Sequence, residues 1–117
     1  MVNDDCEHNP RVCSIFHSAI ELIGRRWTGA IIKTLIPGPK RFCEFKDAIP
    51  ELSDRLLTER LKELEEHGLV AREVSTGRPV QVLYALTPKG QDLEPILGAI
   101  GQWAGKWHAP EREATEV

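Results

Sequence analysis

The spacing of apolar residues changes along the chain, and this change most limits the folds that the sequence can adopt. Four stretches before Gly68 repeat their apolar residues every three or four positions, as amphipathic helices do. After Gly68 the apolar residues alternate instead, most regularly from Val80 to Leu86, as in half-buried strands. A further helical pattern begins at Thr87 and continues to Trp107. The sequence therefore predicts a mainly α fold with one small antiparallel β-hairpin, in the order α-α-α-α-β-β-α.

Residues that cap or stop helices lie at the ends of these stretches. Gly24 follows the first stretch, and Pro37-Gly38-Pro39 must end the second. Pro50 closes a short third helix, and Ser53 is a natural N-cap for the fourth. Gly68 ends the fourth helix, because glycine readily adopts the left-handed conformation. A short helix, a tight turn and a longer helix before a hairpin form a winged helix-turn-helix arrangement.

The length and the charge distribution indicate one domain between two acidic tails. The 117 residues suit a single domain. We divide them into a flexible acidic N-terminal tail (1–12), a winged helix-turn-helix domain (13–108) and an acidic C-terminal tail (109–117). The formal net charge is −3, but without the first and last ten residues the chain has 14 basic and 12 acidic residues. The stretch 25–41 contains no acidic residue. A cationic surface is therefore compatible with an acidic chain.

Three features of the sequence predict a cytoplasmic protein. No apolar run approaches the roughly 18–20 residues that are needed to cross a bilayer. The N-terminus is acidic and polar, unlike a secretory signal peptide. The three cysteines are odd in number and irregularly spaced, so they do not form a disulfide framework of the kind found in secreted domains.

The polar side of the fourth helix is suited to reading DNA. Such a helix face fits the major groove, about 12 Å wide, and the N-terminal part of the second helix of a helix-turn-helix reaches the bases. Basic residues before the short helix can meet a phosphate, and an arginine at the hairpin tip can enter the minor groove. The alternative for each residue is a solvated surface position. The predicted DNA-contacting residues are Lys40, Arg41, Ser53, Asp54, Arg55, Thr58, Glu59, Lys62 and Arg78.

Four motifs stand in an order that closely resembles the HxlR-type bacterial transcriptional regulators, a MarR-related branch of the winged helix-turn-helix proteins. The resemblance runs from about Cys13 to His108 and implies a dimeric DNA-binding regulator without enzymatic activity, for which we expect repression. It implies that 53–67 is the recognition helix, that 69–86 is the wing, and that the first and last helices form the dimer interface. The motifs are Gly24-Arg25-Arg26-Trp27, Gly38-Pro39-Lys40-Arg41-Phe42, Leu57-Thr58-Glu59-Arg60-Leu61-Lys62-Glu63-Leu64-Glu65 and Tyr84-Ala85-Leu86-Thr87-Pro88-Lys89-Gly90.

The first and last helices carry more apolar surface than a domain of this size buries by itself, which favours a homodimer. A dimer would place its two recognition helices about one DNA turn apart, roughly 34–36 Å, and would select an inverted-repeat operator. The alternative is a purely intramolecular core. The predicted interface residues are Ile15, Phe16, Ile20, Ile96, Ile100, Trp103 and Trp107.

Cys13 is the candidate redox sensor, because it lies just before the first helix, where the helix N-terminus favours a thiolate. The resemblance implies a cysteine at this place that senses oxidants, quinones or aldehydes in some members, although Ser14 stands where many members have proline. Cys6 is the expected resolving partner, and the alternative is an inert thiol. Together with His8 and His17, the two cysteines do not have the paired spacing of structural zinc sites, so we predict no metal and no cofactor.

Two other function classes are open at this point. The first is a winged-helix module that binds proteins instead of DNA. A reversed charge on the recognition face would favour it, yet Arg55 and Lys62 are basic. A small thiol-dependent enzyme finds little support, because the chain has no phosphate loop, no dinucleotide fingerprint and no G-x-S-x-G elbow. We therefore predict a regulator that is not an enzyme, with an oxidant or a small molecule as its effector.

Overall fold

The computed structural model describes the backbone of residues 13–116 and the side chains of residues 13–108, and it confirms the predicted fold class. Helices precede and follow a two-stranded antiparallel sheet. None of the helices in the described part is long and apolar enough to span a membrane. The elements are α1 (Ser14–Ile23), α2 (Thr28–Leu35), α3 (Phe42–Ala48), α4 (Asp54–Glu66), β1 (Val70–Val74), β2 (Val82–Leu86), α5 (Pro88–Gln91) and α6 (Glu94–Glu116).

The region after the hairpin begins as predicted but is interrupted. The Thr87 hydroxyl accepts a hydrogen bond from the Gly90 amide at 3.1 Å, and Pro88 occupies the first helical turn. The predicted single helix is divided into α5 and α6 by a short turn. Pro95 accounts for the break, because it has no amide hydrogen and its ring clashes with the carbonyl four residues earlier, at Gln91.

The core lies between α2, α3, α4 and the start of the hairpin. Ile31, Ile32 and Phe45 are completely buried, and they pack with the leucines on one side of α4. This packing confirms the apolar side that the sequence predicts for the fourth helix. Gly68 has a φ of 74°, so the end of α4 adopts the left-handed conformation that glycine favours.

The wing is attached to the helix-turn-helix by the segment that precedes α3. Strands β1 and β2 pair from Val70 opposite Leu86 to Val74 opposite Val82. The Lys40 amide donates to the Tyr84 carbonyl at 2.9 Å, and the Tyr84 amide donates to the Lys40 carbonyl at 2.8 Å. These two hydrogen bonds fix the start of α3 against the second strand of the wing.

Helices α1 and α6 are less buried than the rest of the domain. No residue of α1 is buried, and only Leu22 and Ile23 pack partly against the core. Leu93 and Leu97 anchor the beginning of α6. All seven residues predicted for the dimer interface are instead between 49% and 65% exposed in the single chain.

Candidate nucleic-acid interface

Helix α4 is capped at its N-terminus, so its first turn is held in a defined conformation. The Ser53 hydroxyl oxygen accepts a hydrogen bond from the Leu56 amide at 3.1 Å. This is the N-cap that the sequence predicts, and removing such a cap costs helices about 1 kcal/mol. The exposed polar residues that follow Ser53 therefore lie on a helix whose opposite side is fixed in the core.

Two ion pairs connect the charged residues at the beginning of α4. Arg55 is almost fully exposed, and its Nε lies 3.5 Å from Oε2 of Glu59. Asp54 Oδ1 lies 3.1 Å from Nζ of Lys46, which belongs to α3. The more exposed Arg55–Glu59 pair contributes little stability. Arg55 can therefore exchange Glu59 for a guanine edge with little loss of stability.

The Thr58 hydroxyl is already engaged within the helix, because it donates to the Asp54 carbonyl at 2.8 Å. Thr58 is exposed, so its methyl group and the remaining lone pairs of its oxygen can still meet a base. The structure thus places Ser53, Asp54, Arg55, Thr58 and Glu59 together along the first turns of one helix.

The cationic segment before α3 is held by hydrogen bonds and one exposed ion pair. The Arg41 amide donates to Oε1 of Glu44 at 2.7 Å, and Arg41 Nε lies 3.6 Å from the same oxygen. The hydrogen bond from the Arg41 amide, aided by the charges of Arg41 and Lys40, lowers the pKa of Glu44. Lys40 Nζ donates to the Gly38 carbonyl at 3.3 Å. Both basic side chains are thus positioned beside the N-terminus of α3.

The remaining predicted contacts lie on other parts of the domain. Lys62 is exposed on α4, beyond the first turns of that helix, and Arg78 is exposed at the tip of the wing. The base of that tip is closed by Ser75, whose amide donates to the Gln81 carbonyl at 2.7 Å and whose hydroxyl accepts from the Gln81 amide at 3.0 Å. The nine predicted residues therefore fall on three elements: the start of α3, helix α4 and the wing.

Sequence reasoning missed two residues that position α4. Lys46 joins α3 to the first residues of α4 through Asp54 and through the Leu52 carbonyl. Arg60 is buried on the core side of α4, and its Nε donates to the Arg26 carbonyl at 3.0 Å. The position of Arg60 between Leu57 and Leu61, on the apolar side of the helix, was the sequence signal that could have indicated its burial.

The cysteines have different surroundings. Cys13 precedes α1 as its N-cap residue and is disulfide-bonded, whereas Cys43 is a free, exposed cysteine on α3. Cys6, the predicted resolving partner, and His8 lie outside the described residues. Among the residues that the structure describes, no three His, Cys, Asp or Glu side chains form a group that could hold a metal ion.

The fold and the exposed polar face of α4 define the class of winged helix-turn-helix DNA-binding regulators. A family model described as "HxlR-like helix-turn-helix" matches residues 22–112. The chain therefore belongs to the HxlR-like helix-turn-helix family and is a DNA-binding transcriptional regulator. This result confirms the resemblance found in the sequence motifs.

Relatives of known sequence and structure agree with this assignment. The chain is 46% identical to YvaP, an uncharacterised HTH-type transcriptional regulator of Bacillus subtilis, over 85% of this chain and 92% of YvaP. The reduced form of the B. subtilis transcriptional regulator YodB has a TM-score of 0.77 at 43% identity, covering 86% of this chain and 98% of YodB. YodB also has diamide-treated and quinone-bound structures. The redox regulator HypR in its reduced form has a TM-score of 0.76 at 38% identity, covering 86% of this chain and 99% of HypR.

Proposed function

We propose that the chain acts as a homodimeric repressor that reads an inverted-repeat operator with α4, in the cytoplasm and without enzymatic activity. The observation that carries this proposal is the two-sided character of α4. Its leucines lie in the core, while Arg55, Thr58 and Glu59 are exposed on consecutive turns. A helix held in this way presents its polar side chains to the major groove without a loss of packing.

Arg55 is proposed to read a base, while Lys40, Arg41 and Arg78 are proposed to hold the phosphate backbone. Arg55→Ala should weaken binding to the operator by about 1–3 kcal/mol and leave binding to scrambled DNA nearly unchanged. Lys40→Ala is the matched comparison, because losing a phosphate contact weakens both affinities to a similar degree. Fluorescence anisotropy with the chain's own upstream DNA and a scrambled duplex measures both. Unchanged operator affinity in Arg55→Ala would show that this residue does not read a base.

The exposed apolar surface supports a second copy of this chain as the partner. Among the large hydrophobic residues that are exposed in the described part, seven of nine lie on α1 and α6. Gly98, Gly101 and Gly105 on α6 have open space where a side chain would begin. Small residues on an apolar helix let another helix approach closely, and a twofold interface repeats the same patch on both subunits. These features favour dimerisation through α1 and α6.

Cys13 is proposed to respond to oxidants through thiol–disulfide chemistry. YodB has been determined in reduced, diamide-treated and quinone-bound forms, and HypR in reduced and oxidised forms. In this chain Cys13 directly precedes α1, whose apolar face we assign to the dimer interface. Cys13 is disulfide-bonded in this structure, so reduction to the free thiol would alter the packing of α1. The reduced form is proposed to bind the operator, and a disulfide or an adduct at Cys13 to release it.

Diamide tests this proposal, because it oxidises two thiols to one disulfide and takes up their two hydrogen atoms. After a reducing pretreatment, operator affinity should fall on addition of diamide in the wild type and change much less in Cys13→Ser. Cys43→Ser is the control for the exposed thiol of α3 and should respond as the wild type does. If Cys13→Ser loses affinity as strongly as the wild type, Cys13 is not the sensor.

A further inference from the structure

The recognition helix is joined to the turn between α1 and α2 by a buried charge. The Arg60 side chain is only 10% exposed, and it donates through Nε to the Arg26 carbonyl, 34 residues earlier in the chain. Burial of a guanidinium is costly unless its hydrogen bonds are satisfied. The side chain of Arg60 therefore ties α4 to one particular position of this turn.

Glu63 extends this connection by one helical turn along α4. Its Oε2 lies 3.5 Å from Nη1 of Arg60 and 3.4 Å from Nη2 of Arg25. One carboxylate thus joins an arginine of α4 to an arginine that directly follows the C-cap of α1. We refer to Arg25, Glu63 and Arg60 as the turn cluster.

The turn itself has a defined conformation. Trp27 has a φ of 77°, in the left-handed region that residues other than glycine rarely adopt. Such a conformation persists only where neighbouring groups hold it. The Arg26 guanidinium lies 5.2 Å from the centre of the Trp27 ring, which adds a cation–π contact. These contacts hold the turn between α1 and α2 in one conformation.

We infer that the turn cluster sets the angle between α1 and α4, and that it thereby determines which spacing of operator half-sites the dimer accepts. This inference rests on the proposed dimer, in which α1 contributes to the interface and α4 reads DNA. The angle between the two helices then fixes the separation and the relative rotation of the two recognition helices. Arg25, Glu63 and Arg60 act as positioning residues, since the inference requires no contact between them and DNA.

The test compares operators that differ only in the spacing between half-sites. One inserted base pair moves the half-sites apart by about 3.4 Å and rotates one relative to the other by about 35°. The variants are Glu63→Gln, which removes the shared charge at nearly constant size, and Arg25→Gln, which breaks the more exposed pair. Glu66→Gln, at an exposed position on the same helix, is the matched control. Urea unfolding of each variant verifies that it is folded.

The wild type should lose at least about tenfold in affinity when the base pair is inserted. Glu63→Gln and Arg25→Gln should lose about threefold or less on the same insertion, because the angle between α1 and α4 is then less restricted. Glu66→Gln should behave as the wild type does. A purely structural role would lower affinity for both operators by the same factor and leave their ratio unchanged.

The contrary outcomes identify which claim has failed. If the wild type, Glu63→Gln and Arg25→Gln all lose affinity equally when the base pair is inserted, the turn-cluster inference is wrong. The proposed dimer is not affected by that result. If the wild type binds both operators with equal affinity, the proposed dimer on an inverted repeat is contradicted, and the turn-cluster inference fails with it.

Discussion

The half of the domain that we propose to face DNA (α2, α3 and α4) and the two outer helices (α1 and α6) use apolar residues in opposite ways. We call the first of these the DNA-facing half. In α2, α3 and α4 the large apolar side chains are buried or partly buried, and the exposed residues are mostly polar. In α1 Ile15, Phe16 and Ile20 are exposed, and along α6 beyond Leu97 the large apolar side chains are exposed as well. The first half therefore buries most of its own apolar surface, whereas the second leaves an apolar surface exposed, which favours a partner.

We therefore expect fold stability and assembly to depend on different residues. Substitutions in the core of the DNA-facing half should unfold the chain, and substitutions on α1 or α6 should instead change its oligomeric state. Of the three predictions below, ordered from the largest expected effect to the smallest, the first two test this separation and the third tests the start of α3.

Phe45→Ala should give the largest loss of stability. Phe45 is completely buried, and its ring meets Tyr84 edge to face, with 6.1 Å between ring centres. Truncating a buried phenylalanine costs about 3–5 kcal/mol, through lost transfer energy and the cavity that is left. Urea unfolding followed by circular dichroism measures the loss. A cost below about 1 kcal/mol would contradict the assignment of Phe45 to the core.

Replacing Trp103 and Trp107 together by alanine should dissociate the dimer and leave the protomer folded. Both side chains are nearly two-thirds exposed in the single chain, so their removal should change the packing of its core very little. Buried aromatic anchors typically contribute 2 kcal/mol or more to an interface, so the dissociation constant should rise by at least about 100-fold. Analytical ultracentrifugation over a concentration series measures this constant.

Val74→Ala, on the wing, is the matched control for that experiment. Val74 is 51% exposed but lies outside the two outer helices. Its substitution should leave the dissociation constant unchanged. Equal effects of the two changes would contradict the assignment of the interface to α1 and α6.

Glu44→Gln should give the smallest effect, and one that depends on pH. Because the Arg41 amide and nearby charges lower the pKa of Glu44, its contribution to stability is present above the ordinary carboxylate pKa and disappears as pH falls through the lowered value. Glu44→Gln should therefore be slightly less stable than the wild type at neutral pH, and the difference should shrink at a pH below the ordinary carboxylate range. Urea unfolding at both pH values measures the difference, with the exposed Asp47→Asn as control. A difference that persists or grows at low pH would contradict this role of Glu44.

Local signals in the sequence explain why α4 and the hairpin could be predicted. Ser53 caps α4 as expected, the leucines of α4 are buried, and Gly68 adopts the left-handed conformation at its end. The apolar residues that recur along α1 and α6 also marked the surface that the single chain leaves exposed. Each of these features depends on residues within a few positions of one another.

The positioning contacts could not be predicted, because they join residues that are distant in sequence. The partner of Arg60 is a backbone carbonyl 34 residues earlier, and periodicity gives no indication of such a contact. The left-handed conformation of Trp27 likewise has no local signal, since tryptophan does not favour it. Lys46 was missed for a related reason, because its pair with Asp54 forms only when α3 and α4 pack together.

The stoichiometry of the complex with operator DNA tests the central claim most directly. We predict that light scattering finds two chains on one inverted repeat, and that this duplex is bound at least about 100-fold more tightly than a duplex with a single half-site. The footprint should show two protected half-sites with centres about one DNA turn, roughly 34–36 Å, apart. One chain per duplex, with equal affinity for the single half-site and the inverted repeat, would contradict the division between a DNA-reading half and an assembling half.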